Sequence, residues 1–533
     1  PSLPGGYDFA QRAWFERIGG VGTVIGRPIL GRADAAEPLR ARLSRHILQQ
    51  VPGSAGGIIA ALASGDRGAI AEVDEAAMRR SGLAHLLSIS GLHVTALVGG
   101  VILLLMRLLA LHQRLARRGA VPLIAAAGGA LAGIGYTLLT GAEVPTVRSC
   151  IAALLVLGAL ALGREALTLR LVAAGALLVM LLWPEAVTGP SFQLSFAAVT
   201  AIVALHSHPR AQAWFARRDE PALAAAARVI AALVATGLLI EAVLAPIALF
   251  HFHKAGLYGA LANVVAIPLT TFVIMPATAL ALLLDVAGLG APAWWVAHHS
   301  VAALIALAHT VSDTPGSVLL LPRPSAAGFA LAMLGILWIL LWTRRWRWWG
   351  AAPALVGSLW MASAPTPDLL VTGDGRHIAA QLTDGGFAAL RGQSTGFANA
   401  QLAEAAGFDD EMAALSALEG SECNADMCRW TMVRGGRSWQ ILATRSRFLV
   451  DPRELAAACA AADIVIADRW LPPGCKARWL TLDRDAWDAH GGVAIHLAAG
   501  RVDTAIDPAD RHPWRRPPLV SGNDEADPTA FPE

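Results

Sequence analysis

The chain has 533 residues, 55% hydrophobic and 15% charged, with mean hydropathy +0.52. Soluble domains carry roughly 45–50% apolar and about 25% charged residues, so a purely soluble or disordered protein is excluded. The net charge of +2 conceals two regions, net +10 over residues 1–365 and net −8 over residues 366–533. The first holds apolar stretches long enough to cross a hydrocarbon core about 30 Å thick, and the second reads as a water-soluble domain.

The chain opens at Pro1 with no charged segment leading into an apolar run, and reads as a piece of a longer protein without a signal peptide. Residues 1–31, with Gly5-Gly6, Gly19-Gly20 and the alternating Val21–Gly26, are expected to be loop and strand rather than helix, the remnant of a preceding soluble domain. Residues 32–91 contain two polar, amphipathic patterns, 36–50 and 68–80, expected as helices on the membrane surface. Within 92–365, spans are predicted at 92–111, 121–140, 145–162, 168–183, 191–205, 229–249, 293–311, 325–343 and 350–363. The stretch 256–290, interrupted by Pro268 and Pro276, is two short helices or one discontinuous one.

Arg114, Arg117, Arg118, Arg164, Arg170, Arg210, Arg217, Arg218 and Arg228 fall in alternate connections, whereas 141–144 and 184–190 carry only Glu143 and Glu185. The positive-inside bias puts the Arg-bearing loops in the cytoplasm, with Arg344-Arg345-Trp346-Arg347-Trp348-Trp349 as a basic aromatic belt on that side. If 256–290 crosses once, about ten spans result and residue 366 emerges outside.

Residues 366–512 alternate short β runs (368–372, 439–444, 463–467, 493–497) with helical stretches (398–406, 452–462), an α/β or α+β pattern. Residues 513–533, rich in Pro and acids, are expected to be a disordered tail. Cys150 lies in an apolar stretch, and Cys423, Cys428, Cys459 and Cys475 fall in the soluble domain, where an oxidising compartment favours disulfides. The simplest pairing joins Cys423 to Cys428 and Cys459 to Cys475; four cysteines allow three pairings, and a four-Cys zinc site is the alternative.

The densest polar segment beside a span is Ser81–Val94, containing His85, Ser88, Ser90, Gly91 and His93. Such residues at a helix mouth cap the helix, bind phosphate through backbone N–H groups or relay protons. Glu143-Val144-Pro145-Thr146-Val147-Arg148 puts Pro145 in the first turn of a span and an arginine just inside it. Arg148 either snorkels to the interface or faces a conduit where its guanidinium could hold a phosphate, with Glu143 the nearest candidate partner. Pro190–Phe196 places Gln193 and two hydroxyls at a span entrance, and Glu241 sits deep in an apolar run, as a structural or a functional carboxylate. His251-Phe252-His253-Lys254, Tyr258, Asn263 and Pro268 precede or begin the broken helix; His-x-His is a weak zinc signal, and a transport pathway explains the cluster better.

Gly82–Val94, Val144–Arg148, Trp183–Glu185, Pro190–Ala197 and Tyr258–Leu269 together resemble the ComEC family of bacterial competence proteins, in family order over about 190 residues. Gly5–Phe9 is similar to the segment closing the family's N-terminal soluble, OB-like domain. The resemblance implies an inner-membrane channel passing single-stranded DNA into the cytoplasm during natural transformation. It also implies a periplasmic DNA receptor and a cytoplasmic helicase or translocase as partners, with self-association a further option. The expected pathway residues are His85, Ser88, Ser90, His93, Arg148, Gln193, Glu241 and Asn263, with Gly91, Pro145 and Pro268 as structural positions.

Many family members end in a metallo-β-lactamase-like domain. Here that domain holds only His377, His490, His496 and His512, with no His-x-His-x-Asp-His run, so a degenerate fold without catalysis, cofactor or metal is expected. No Gly-x-x-x-x-Gly-Lys loop is present, so energy would come from a partner. The competing readings are a secondary transporter for a small or lipid-linked anion, and a nuclease with unfamiliar ligands such as Asp374 or Asp384.

Overall fold

The computed structural model describes residues 3–22, 37–117, 120–165, 167–216, 218–391, 397–409, 412–418, 420–446, 448, 450–507 and 509–515. The predicted strand over 23–26, Arg118, Arg217, Arg447, Arg516 and the tail beyond 515 lie outside them. Two units form, Ile29–Ala364 and a second made of Pro1–Pro28 with Pro365–Glu533.

Helix α1 (Phe9–Glu16) corrects the expectation of loop and strand near the start. The Asp8 carboxylate accepts the Ala10 and Gln11 N–H groups, and Arg17 closes the helix in the left-handed region. The glycines that argued for a loop flank this helix and do not enter it.

In the larger unit, α2 (Leu39–Gln50) and α4 (Glu72–Arg80) occupy the two amphipathic patterns. Between them lies an unforeseen helix, α3 (Gly53–Ser64), almost wholly buried. Its sequence is apolar on all sides, so it has no moment to betray it, and its small residues fit among neighbouring helices. The α2 and α4 residues Ile47, Ala77 and Met78 join the same core, so these faces turn to protein.

There follow α5 (Gly91–Ala110), α6 (Gln113–Arg117), α7 (Val121–Leu139), α8 (Val144–Ala161), α9 (Leu169–Leu182), α10 (Pro190–His206), α11 (Pro209–Phe215) and α12 (Ala222–Phe252). Strand β1 (Lys254–Gly256) then leads to α13 (Gly259–Leu269) and α14 (Met275–Asp285), and α15 (Ala291–Ser312) to β2 (Val318–Leu320), which pairs antiparallel with β1. The unit ends with α16 (Ala326–Leu341) and α17 (Ala351–Ala362).

Six of these are long and apolar enough to cross a membrane: α5, α7, α8, α12, the continuous 27-residue Gly259–Asp285 and α15. The protein is a membrane protein. The other predicted spans are shorter: α9 has 14 residues, α16 has 16 and α17 has 12, while α10 and α11 meet at an 81° bend. At 1.5 Å per residue, 14 residues extend only about 21 Å. Residues 256–290 hold one helix with a π segment, Thr270–Ile274, between Pro268 and Pro276. Each proline lacks an N–H, and Met275 N–H reaches back five residues to Thr270 O.

Helices α16 and α17 pack on glycine. A Cβ at Gly357 would lie 2.6 Å from Gly328 O and collide with Ala332 N, and one at Gly350 would lie 2.6 Å from Gly335 O. Only bare backbone permits this approach.

The second unit is a four-layer α/β/β/α sandwich. One sheet runs β13 (Arg501–Thr504), β12 (Val493–His496), β3 (Leu369–Val371), β4 (Ile378–Gln381), β5 (Phe387–Ala389), β6 (Ala413–Ala414). The other runs β11 (Leu480–Leu482), β10 (Ile464–Ile466), β9 (Arg437–Thr444), β8 (Met427–Arg434), β7 (Glu422–Cys423). Alternation sorts the side chains: Leu369, Val371, Ile441, Ile464 and Ile466 fill the space between the sheets with Trp430 and Trp439. Leu370 and Ala379 turn outward to α18 (Phe397–Ala406), and Leu442 and Val465 to α19 (Pro452–Ala461). A short α20 (Arg484–His490) follows β11.

Disulfides join Cys423 to Cys428 across the β7–β8 pair, and Cys459 of α19 to Cys475 in the loop before β11. Cys150 is free and buried. Residues Pro513–Arg515, expected as disordered, form a turn: Arg515 pairs with Asp8 at 2.7 Å, and Trp514 stacks on His512 and meets Phe15. Its aromatic and its guanidinium find partners on α1 that the proline-rich composition does not reveal.

Candidate functional site

Most of the polar residues singled out above gather at one end of the bundle, where a series of contacts closes on itself. Ser90 precedes α5, and its N–H donates to His93 Nδ1 at 3.0 Å, which leaves the imidazole proton on Nε2. His93 is fully buried, and Nε2 has no hydrogen-bond partner among the described residues. A Cβ at Gly91 would lie 3.8 Å from Ser149 Oγ, so α5 begins beside the first turns of α8.

On α8, Pro145 occupies the first turn and Arg148 is 7% exposed. Its Nη2 donates to the Ser191 backbone oxygen at 2.9 Å and to Ser191 Oγ at 2.7 Å, tying α8 to the start of α10. Glu143, the expected partner, instead lies 3.6 Å from Arg40 and 3.8 Å from Arg67. Arg148 points inward from its helix, whereas Glu143 precedes the helix and turns to the outer arginines. Nε and Nη1 of Arg148 are buried and find no partner among the described residues.

Gln193 on α10 donates through Nε2 to Val187 O at 3.1 Å and accepts from His251 Nε2 at 2.9 Å, reaching the end of α12. There His253 caps α12 in the left-handed region, 3% exposed, with Nε2 unpartnered among the described residues. Glu241, farther back on α12, accepts the Ala260 N–H at 3.1 Å. It thus caps α13, whose N-terminal residue Tyr258 makes no side-chain cap, and it meets the positive end of that helix dipole. A Cβ at Gly259 would come within 3.1 Å of Glu241 Oε1 and 3.5 Å of Gly82 Cα, which returns the series to the loop before α5. Gly82, at φ +76, could carry no side chain there: its Cβ would lie 3.0 Å from Gly259 Cα.

Four helices, α5, α8, α10 and α13, therefore begin at this end, and their dipoles favour an anion there, a place that the Glu241 carboxylate already takes at α13. The remaining predicted residues stand at its margin. His85 is exposed, its Nδ1 3.2 Å from Gly82 O, and Ser88 Oγ donates to His85 O at 3.2 Å. Asn263 lies one turn into α13 with Oδ1 buried and unpartnered among the described residues, and Pro268 opens the π segment. Ser191 and His251, noted within their motifs but not among the expected pathway residues, are the partners of Arg148 and Gln193; what the sequence could not show is that they face them. In the second unit, Asp374 accepts from Thr372 Oγ1 and Arg376 N–H, and Asp384 from Gly386 N–H, each within its own turn. Among the described residues no three His, Cys, Asp or Glu side chains are grouped as a metal ion would require.

Residues 62–346 match the family described as Competence protein. The chain belongs to this family. It is the family that the five sequence motifs resemble, and the match spans every helix of the closed series of contacts. The chain is 36% identical to Competence protein ComA of Neisseria gonorrhoeae over 195 residues, 35% of this chain and 28% of that protein. It is 31% identical to the uncharacterized protein YcaI of Escherichia coli over 297 residues, 52% and 37% of the two chains. Recombination protein 2 of Haemophilus influenzae is 28% identical over 277 residues, 51% and 34%. The matched segments span about a third of the length of these family relatives. No solved structure matches the chain.

Proposed function

We propose that this protein is the inner-membrane channel through which single-stranded DNA enters the cytoplasm during natural transformation. The observation that carries the reading is Arg148: a guanidinium more than nine-tenths buried in a membrane bundle, held by one serine, with Nε and Nη1 unpartnered among the described residues. A buried charge is costly unless it meets water or a counter-ion, and a passing phosphate supplies one in the geometry that a guanidinium fork prefers. The helix N-termini around it add to the attraction, and the competence relatives agree with it.

In this reading α9, α10, α16 and α17 cross together with the six long helices, ten crossings in all, with the bilayer thinned around the shorter ones. The arginine-bearing loops then lie in the cytoplasm and the second unit outside, where its two disulfides are stable. Its α/β/β/α layering agrees with a metallo-β-lactamase-like fold that has lost its metal ligands, so the chain acts without catalysis. Energy comes from a cytoplasmic helicase or translocase, and DNA from a periplasmic receptor.

The test is uptake of labelled DNA and recovery of transformants in a competent host carrying the full-length protein, its deletion, or Arg148→Ala at matched membrane levels. Deletion is expected to abolish transformation, and Arg148→Ala to lower it at least about a hundredfold, the scale of a lost buried charged contact. Unchanged transformation on deletion would overturn the proposal in favour of anion transport.

A further inference from the structure

The second unit is acidic overall, yet four of its arginines converge on one edge of the sandwich. They come from four separate loops: Arg376 between β3 and β4, Arg391 after β5, Arg445 after β9, and Arg469 after β10. Asp468 lies between the first two. Its side chain is 2% exposed, and its Oδ2 lies 3.9 Å from Arg376 Nε and 3.8 Å from Arg391 Nη2. Arg391 Nη2 also donates to Arg445 O at 2.8 Å, and Arg469 Nη1 donates to Ser446 O at 3.4 Å and to Phe448 O.

Two further carboxylates stand nearby, each holding a hydrogen bond of its own. Asp374 closes its own turn through Thr372 and Arg376 N–H, and Asp426 receives the Ser446 hydroxyl. With Asp374, which also acts on Arg391, and Asp426 counted beside Asp468, four guanidiniums face three carboxylates, and a surplus of positive charge remains. Two of the most exposed aromatics in the unit, Phe448 at 77% and Trp470 at 67%, flank Arg469. The Trp470 indole N–H donates to Asp485 Oδ1 at 2.9 Å, which orients the ring, and Arg484 sits 5.9 Å from its centre.

Arginines interleaved with exposed, oriented rings form the surface that single-stranded nucleic acid needs, since guanidiniums take the phosphates and the rings stack on unpaired bases. We propose that this edge is a metal-independent binding site for single-stranded DNA, with Arg376, Arg391, Arg445 and Arg469 on the backbone and Phe448 and Trp470 on the bases. The choice of DNA over RNA rests on the uptake reading. A lipid headgroup or free phosphate would use the arginines and leave the aromatics idle.

The experiment measures fluorescence anisotropy of a labelled oligo(dT) of about 15 nucleotides against the purified full chain in detergent. Every protein carries Arg148→Ala, so that the signal belongs to the second unit. Trp470→Ala and Arg376→Glu are each expected to weaken binding about tenfold. Arg376→Glu also flattens the salt dependence, while Arg478→Glu, exposed and bonded through its backbone N–H to Ala462 O at the opposite end of β10 from Arg469, binds as the parent does. Duplex DNA and inositol phosphates compete poorly. Unchanged affinity in both Trp470→Ala and Arg376→Glu, with unaltered thermal transitions, overturns the site. Loss in Arg376→Glu alone, with phosphate an equal competitor, replaces it with a simple anion site. None of these outcomes depends on transformation, whose persistence on deletion would instead remove the uptake reading.

Discussion

Arg148 in the membrane bundle and Arg434 in the sandwich are both arginines carried into the interior, and they are satisfied very differently. Arg434 uses every nitrogen: Nε donates to Asp368 Oδ1 at 2.5 Å, Nη1 to Val433 O at 3.0 Å, and Nη2 to Gln381 O at 2.9 Å. Asp368 in turn accepts the Leu497 N–H at 2.7 Å. Arg434 is a rivet between the two sheets. Among the described residues Arg148 has one donor nitrogen occupied and no acid partner. A side chain whose bonds are complete has nothing left to offer a ligand, whereas an incomplete one is a cost that a function must justify.

The sharpest way to break this comparison is to remove both arginines separately. Arg434→Ala strands Asp368, 6% exposed, without its counter-ion and is expected to cost about 3–5 kcal/mol. Thermal unfolding of the purified full chain should show a lower-melting transition. Arg148→Ala removes a charge that the bundle satisfies poorly, so its thermal transition should stay or rise. Equal destabilisation by both variants would make Arg148 a structural residue too.

A second contrast lies inside the bundle, between the polar end and the α16–α17 hairpin. In the hairpin the two helices meet mainly through backbone approach at glycine, with the Trp338 indole N–H bonded to Trp346 O in the connection. Gly357→Leu, with its Cβ already against Ala332 N and Gly328 O, is expected to cost about 2–3 kcal/mol by overpacking, read as a lower thermal transition in detergent. If the hairpin tolerates leucine, its helices are free to separate and the glycine packing is incidental. Glu241 stands between the two cases. As a cap on α13, Glu241→Ala should cost about 1 kcal/mol and Glu241→Gln, whose amide oxygen still accepts the Ala260 N–H, less. Loss of transformation in Glu241→Gln at unchanged stability would move Glu241 from the scaffold to the pathway.

How much of this was legible in the sequence follows from the kind of signal involved. Long spans announce themselves by length, and the Pro268–Pro276 interruption by composition. The strands of the sandwich are legible where both faces are apolar, as in Ile464–Ile466, and illegible where small residues such as Ala379-Ala380 and Ala388-Ala389 fill them. Helix α3 was invisible because a helix apolar all round in a chain full of apolar segments has no contrast. At the candidate site the motifs were visible as residue types, but their partners were not: Arg148 looked toward Glu143, five residues away, and found Ser191, 43 residues away. The arginine-rich edge of the sandwich is a product of topology, since its four members are spread over 94 residues and share no local pattern.

The smallest expected effect concerns the histidines of the sandwich. His496, 8% exposed on β12, is held below the usual imidazole range first by burial and then by Arg501, with Asp503 and Asp368 opposing. His377 is likewise depressed by burial and by Arg391 and Arg376, against the pull of Asp374. Because the folded state resists protonation at these rings and the unfolded chain does not, the unfolded chain takes up more protons as pH falls through the ordinary histidine range. Stability is therefore full above that range and declines on acidification below about pH 6.5. Replacing His496 by Gln, which does not titrate, should flatten the decline of the melting temperature between about pH 6.5 and 5, whereas the decline attributable to carboxylates below that window stays. An unchanged slope across the window would mean that the His496 ring titrates in the folded protein much as it does in the open chain, and that the burial around β12 leaves it in contact with water.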